Sequence, residues 1–272
     1  MPSEPVSAGP EVLLDIQNVT VSFDGFKALT ELSLSLTRGS LRVLIGPNGA
    51  GKSTLLDAVI GKVRPESGDV RYRGQSLLRL PEHRVAALGI CRKFQAPGVL
   101  DGLSVGQNLE VAVRCRRGVW ASLRAGVATS EAARVQELLA LIGLTHKRAL
   151  LAAELAHGEK QWLEIGMVVA PRPALLLLDE PTAGMTAQET ARTAQLIRRL
   201  AGEHTVLVID HDMAFVELLD APITVLHQGR VFREGDLNSL RADPDVMEIY
   251  LGRPREEIDK GEGEMENSHA QA

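Results

Sequence analysis

The sequence predicts an α/β fold with a parallel sheet at its core, an antiparallel β subdomain ahead of it and an α-helical subdomain inserted within it. Three observations predict this. Leu41–Ile45 is an apolar run ending at Gly46, and after a glycine-rich turn Ser53–Ile60 resumes with helical character, giving a strand, a loop and a helix. Leu175–Leu178, Thr205–Ile209 and Ile223–Leu226 are short, almost wholly apolar runs spaced by segments of helical period, the pattern of strands covered on both faces. Between these parts, Val135, Leu138, Leu139 and Ile142 recur at helical spacing, and Gly143 offers a C-terminal stop.

In chain order, Met1–Glu11 is rich in Pro, Ser and Gly and reads as a disordered N-terminus. No apolar run follows a basic cluster there, so it does not look like a targeting peptide. The expected folded domain spans residues 12–252. Leu13–Phe23 alternates as a strand, and Leu32, Leu34 and Leu36 repeat every second residue with serine between them, so two early strands form an antiparallel edge with one wet face. The helical insertion occupies about residues 96–157, and the apolar strands follow. Residues 253–272 carry six acidic and three basic residues with little apolar content, an acidic tail expected to be disordered.

Composition narrows the function. Hydrophobic residues make up 44% of the 272 and aromatic ones only 3%, so aliphatic side chains must fill the core. A net charge of −5 gives no electrostatic reason to expect a nucleic-acid partner, since phosphate backbones are bound by clustered Lys and Arg. The two cysteines, Cys91 and Cys115, have neither metal-site nor disulfide spacing. No window approaches the roughly 20 apolar residues that span a bilayer, so any membrane role runs through partner chains. Within residues 111–130, Arg114, Arg116, Arg117 and Arg124 stand without an acidic residue, which suits either a solvated face or a membrane-proximal one.

Two constellations carry chemistry. Gly46-Pro47-Asn48-Gly49-Ala50-Gly51-Lys52-Ser53 fits G-x-x-x-x-G-K-[ST] and sits between an expected strand and helix, with Thr54 following. Glycines there let backbone N–H groups turn toward phosphate oxygens, Lys52 supplies charge to the outer phosphates, and the Ser53 hydroxyl can reach Mg²⁺. Alone, this loop says only that a nucleoside triphosphate binds. Asp179 and Glu180, adjacent acids ending an apolar strand, are arranged so that Asp179 can hold Mg²⁺ through water and Glu180 can polarise an attacking water.

The ordered set of phosphate loop, Gln95, Leu155-Ala156-His157-Gly158-Glu159, Asp179-Glu180-Pro181 and His211 resembles the ABC ATPases over roughly Glu11 to Gly252. That resemblance implies a P-loop NTPase core of the RecA-like type, with ATP and Mg²⁺ held between two nucleotide-binding subunits. Each subunit would give its phosphate loop to one nucleotide and its signature segment to the other. It further implies that Phe23 stacks on adenine, that Gln95 contacts Mg²⁺ or the nucleophilic water, and that His211 senses the γ-phosphate. Ala156, His157, Gly158 and Glu159 would form the signature face. Implied partners are integral membrane permeases, a second ATP-binding subunit and, indirectly, a periplasmic solute-binding protein. The implied location is peripheral, on the cytoplasmic face of the inner membrane.

Ala156 stands where the family usually has serine, and Thr186 where many relatives have Asp, so the contact across the dimer is expected to be weakened. A degenerate subunit that binds ATP as a switch is the alternative this substitution raises. A soluble relative acting on DNA or ribosomes usually joins two nucleotide domains or carries a long coiled coil, and this chain has neither. The segments Arg92-Lys93-Phe94-Gln95, His157 to Met167, and Ala183-Gly184-Met185-Thr186 look like the ATP-binding subunits of urea importers. Those subunits belong with the branched-chain amino acid importers, to which the ending Glu248-Ile249-Tyr250-Leu251-Gly252 is also similar.

Overall fold

Strands β1 (Val12–Phe23) and β2 (Phe26–Thr37) form a hairpin closed by Asp24 and Gly25, whose φ angles of 49° and 85° suit the tight primed turns that match strand twist. The computed structural model describes residues 11–93, 98–114 and 127–251. β1 also pairs antiparallel with β4 (Ser67–Tyr72), and β4 with the short β5 (Gln75–Ser76), giving an outer sheet of order β2-β1-β4-β5. Leu14, Ile16, Leu32, Leu34 and Leu36 point inward, while Asp15, Gln17, Ser33 and Ser35 face water and hydrogen-bond to one another or to neighbouring groups.

The second sheet contains β3 (Leu41–Ile45), β6 (Ile90–Lys93), β7 (Leu175–Asp179), β8 (Thr205–Ile209), β9 (Ile223–His227) and β10 (Arg230–Gly235), in the order β10-β9-β3-β8-β7-β6. All neighbours are parallel except β10 with β9. Its two faces meet different cores, which explains the unbroken apolar runs. Leu44, Leu175, Leu177, Leu207 and Ile209 pack toward the outer sheet and helix α1 (Lys52–Val59), which lies between the sheets. Val43, Ile45, Leu176, Leu178, Val206 and Val208 pack on the other side against helical residues. Leu175–Leu178 are all fully buried, and each such side chain contributes about 1.5–3 kcal/mol of burial free energy.

After α2 (Glu82–Ala87) and β6, the helical layer comprises α3 (Val105–Arg114), α4 (Val127–Ile142) and α5 (His157–Val169). Val105, Leu109, Val135, Leu138, Leu139, Ile142, Trp162 and Ile165 interlock in one core. α5 packs against α3 and α4 and also against β6 before the chain returns to the sheet. α6 (Ala187–Leu200), α7 (Met213–Leu219), α8 (Leu237–Arg241) and α9 (Pro244–Leu251) complete the order. The expected disordered ends fall outside the described residues, apart from Glu11. No described helix is long and apolar enough to cross a membrane. Of the arginine-rich stretch only Arg114 is described, and it pairs with Glu131 at 3.0 Å.

The parallel register delivers the chemistry to one edge. Leu44 and Asp179 both register with Ile209, and Lys93 with Leu178, so β3, β6, β7 and β8 all end on the same side. Ligands of open α/β sheets sit beyond that carboxyl edge.

Candidate functional site

β3 ends at Ile45, and residues 46–51 turn into α1 through backbone shapes that only glycine adopts readily. Gly46 has φ +152° and Gly51 φ +101°. A Cβ at Gly46 would lie 2.3 Å from the Leu226 carbonyl oxygen, and one at Gly51 would lie 2.5 Å from that of Ala28. The loop is therefore clamped by neighbouring backbone, with Ala50 buried and its carbonyl accepting from Gly229 N at 3.0 Å. The Lys52 ammonium folds back to donate to the Gly46 and Pro47 carbonyls at 2.6 and 2.9 Å. Burial lowers its pKa from the ordinary lysine value, while the charges of Glu180 and Asp179 pull the other way. A bound phosphate would add to that upward pull.

At the end of β7, Asp179 is 2% exposed and accepts from Arg92 at 2.8 Å. Glu180 follows with φ +46°, an uncommon conformation for a side-chain-bearing residue, held by its N–H donating to the Ile209 carbonyl at 2.8 Å. Its carboxylate lies 3.5 Å from His211 Nδ1, and the His211 ring is largely exposed. Ser53 and Asp179 offer hard oxygen donors beside the phosphate loop. Among the described residues no three His, Cys, Asp or Glu side chains gather to hold an ion by themselves. Such a donor set suits Mg²⁺, which keeps water and takes phosphate oxygens alongside one or two protein groups.

Behind Glu180, residues 181–186 are anchored at three points. Thr182 donates to the buried Asp210 carboxylate at 2.7 Å, and the other Asp210 oxygen accepts from the N–H groups of His211 and Asp212. The Ala183 carbonyl accepts from Gln161 Nε2 at 2.9 Å and lies 3.0 Å from His157 Nε2. A carbonyl can only accept, so His157 must carry its proton on Nε2 to bond there. Thr186 caps α6, accepting from Glu189 N while Glu189 accepts from Thr186 N. Hydrogen bonds from the Thr186 N–H and hydroxyl hold the Glu189 carboxyl below its ordinary pKa, and they give Thr186 a structural task at the start of α6.

Ala156 is the residue before α5 and has no side-chain oxygen to cap it. Glu159 accepts from Ala156 N at 3.2 Å and pairs with Lys147 at 2.7 Å. The Glu189 carboxylate lies over Gly158, where an added Cβ would make that side chain swing aside. The expected contact residues His157 and Glu159 thus have partners within their own chain. Phe23 is 47% exposed at the hairpin end, and its cross-strand partner Phe26, passed over in the sequence, is 68% exposed. β2 runs from Phe26 to Ala28 and Leu29 beside Gly51, so Phe26 stands on the strand flanking the phosphate loop and Phe23 pairs with it from β1. Gln95 lies outside the described residues. Sequence reading also passed over Asp57, Arg92, Gln161, Thr182 and Asp210, whose partners are distant in sequence. Away from the phosphate loop, a cavity of about 390 Å³ opens beside β6, lined by Ile60, Ile90, Lys93, Val111, Glu164 and Met167 among others.

A family model described as ABC transporter matches residues 29–183. The high-affinity branched-chain amino acid transport ATP-binding protein BraF of Pseudomonas aeruginosa is 34% identical over 251 residues, covering 88% of this chain and 98% of the relative. Escherichia coli LivG, which bears the same description, is 34% identical over 249 residues with the same coverage of 88% and 98%. A nucleotide-free ATP-binding cassette from an ABC transporter matches with a TM-score of 0.75 at 28% identity, covering 89% of this chain and 100% of its own. The ADP conformation of another such cassette matches at 0.76 and 27%, covering 89% and 99%. The chain belongs to the ABC transporter family as one of its ATP-binding, ATP-hydrolysing subunits.

Proposed function

We propose that this chain drives a small-solute importer, for urea or a related small amide or branched-chain amino acid, by hydrolysing ATP at Glu180. The observation that carries the hydrolytic part is the convergence at one sheet edge of a clamped phosphate loop, a buried Asp179 and a part-buried Glu180. In this reading the N–H groups of residues 49–53 and the Lys52 ammonium hold the β- and γ-phosphates. Ser53 and Asp179, with Gln95, would hold Mg²⁺, which would supply charge neutralisation at the phosphates. Glu180 accepts the proton of the attacking water, and His211 donates to the γ-phosphate. Phe23, or Phe26 beside it, stacks on adenine. A second ATP-binding subunit brings its own Ala156–Glu159 segment to this nucleotide.

Two observations bear on cargo. Relatives at 34% identity are named for branched-chain amino acids. The segments around Lys93, Trp162 and Met185 instead resemble the ATP-binding subunits of urea importers. The test is uptake of labelled urea and labelled leucine by cells expressing the complete transporter. Urea uptake that is lost with Glu180→Gln is expected; leucine uptake without urea uptake would move the cargo to the amino acid branch.

Ala156→Ser restores both an N-cap oxygen for α5 and a donor for the opposite nucleotide. Capping should stabilise the chain by about 0.5–2 kcal/mol, and a hydrogen bond to a charged phosphate is worth about 1.5–3 kcal/mol. Faster ATP turnover together with a raised Tm is the expected result. A raised Tm with unchanged turnover would confine the serine to capping.

A further inference from the structure

Arg92, on β6, reaches two carboxylates on two other elements. One terminal nitrogen bonds Asp57 on α1 and the other bonds Asp179 Oδ2 at the end of β7, with the arginine side chain 7% exposed. Asp57 lies five residues beyond Lys52 on the helix whose start carries Ser53. The two oxygen donors assigned above to the metal, Ser53 on α1 and Asp179 on β7, thus stand on elements joined by one guanidinium. A planar fork with fixed N–H directions sets the mutual orientation of two carboxylates, which a lysine's single ammonium does not.

Charge alone argues the other way, because a cation beside the site repels a second cation. Geometry decides in favour of support. Asp179 is almost wholly buried, where a carboxylate needs hydrogen-bond partners to hold one orientation. Arg92 bonds its Oδ2 and so aims it. We propose that Arg92 is a positioning residue for the divalent cation bound with the nucleotide: by bridging Asp57 and Asp179 it fixes the Asp179 carboxylate relative to Ser53. This rests on the assignment of Asp179 to the metal.

The test is Mg²⁺ titration of fluorescent-ADP binding to the full chain, with a parallel measurement in EDTA. Arg92→Gln should raise the Mg²⁺ half-saturation about tenfold, the lower end for groups supporting metal ligands, while affinity in EDTA stays within about twofold of the parent. Arg92→Lys, which keeps charge but not the fork, should fall between them. An unchanged or lowered half-saturation in Arg92→Gln overturns the proposal. If Arg92→Gln does not fold, Arg92→Lys behaving as the parent overturns it equally. Asp179→Asn separates the two levels of the argument. If Asp179→Asn leaves the Mg²⁺ dependence untouched, the metal assignment itself fails; if it shifts the dependence and the Arg92 variants do not, only the role of Arg92 fails.

Discussion

Glu180→Gln is expected to slow ATP hydrolysis by this chain by about 10²–10⁴-fold, the contribution of a placed general base, while leaving ATP affinity within about twofold. The amide keeps the size and the hydrogen-bonding reach of the carboxylate but cannot take a proton from water. Its backbone anchor, the N–H donating to the Ile209 carbonyl, is untouched by the change. Nothing else in the loop need move, since Thr182, Ala183 and Thr186 hold residues 181–186 independently. Single-turnover hydrolysis measured beside ATP binding separates the two quantities. Equal slow hydrolysis by parent and variant would mean that Glu180 is not the working base, and the reading of the chain as an ATP-binding switch would then stand.

Gly51→Ala should cost roughly 2–5 kcal/mol of stability, adding backbone strain at positive φ to overpacking, and should abolish nucleotide binding. Gly51 has φ +101°, and a Cβ there would lie 2.5 Å from the Ala28 carbonyl oxygen and 2.7 Å from Leu29 Cδ2. One obstacle is backbone and cannot swing aside. Any relief moves the start of α1, where Lys52 and Ser53 stand. Gly49→Ala is the matched control, because at φ +80° its Cβ would meet open space, leaving only the conformational penalty of about 1 kcal/mol. Chemical denaturation of both variants should show Gly51→Ala as much the less stable. Equal stabilities would mean that the contact with β2 yields easily.

The parts of this molecule legible in its sequence are those written in local pattern. Leu175–Leu178 announces a strand buried on both faces, and the phosphate loop carries its mechanism in nine consecutive residues. β4 escaped notice because Ser67–Tyr72 is mostly polar and is recognised as a strand only by its pairing with β1. The gathering of Trp162 and Ile165 in one core with residues of α3 and α4 has no signature in local spacing, because it joins helices far apart in the chain. Asp24-Gly25 was a readable hairpin signal, and it would have brought Phe26 forward as the partner of Phe23. Arg92 with Asp57 and Asp179, Thr182 with Asp210, and Gln161 with Ala183 span 35, 87, 28 and 22 residues of chain. No spacing rule reaches such pairs, because they follow from the order of strands in the sheet. These contacts join Asp179, the loop after Glu180 and helix α5.

The central claim is that ATP is held and cleaved at the edge formed by Lys52, Asp179 and Glu180, and the structure of the Glu180→Gln chain grown with ATP and Mg²⁺ tests it most directly. The Lys52 ammonium is expected to have transferred from the Gly46 and Pro47 carbonyls to the outer phosphates, with those phosphates against the N–H groups of residues 49–53 and Mg²⁺ between Ser53 and Asp179. A nucleotide bound elsewhere, or Lys52 still bonded to the two carbonyls with ATP present, would contradict it.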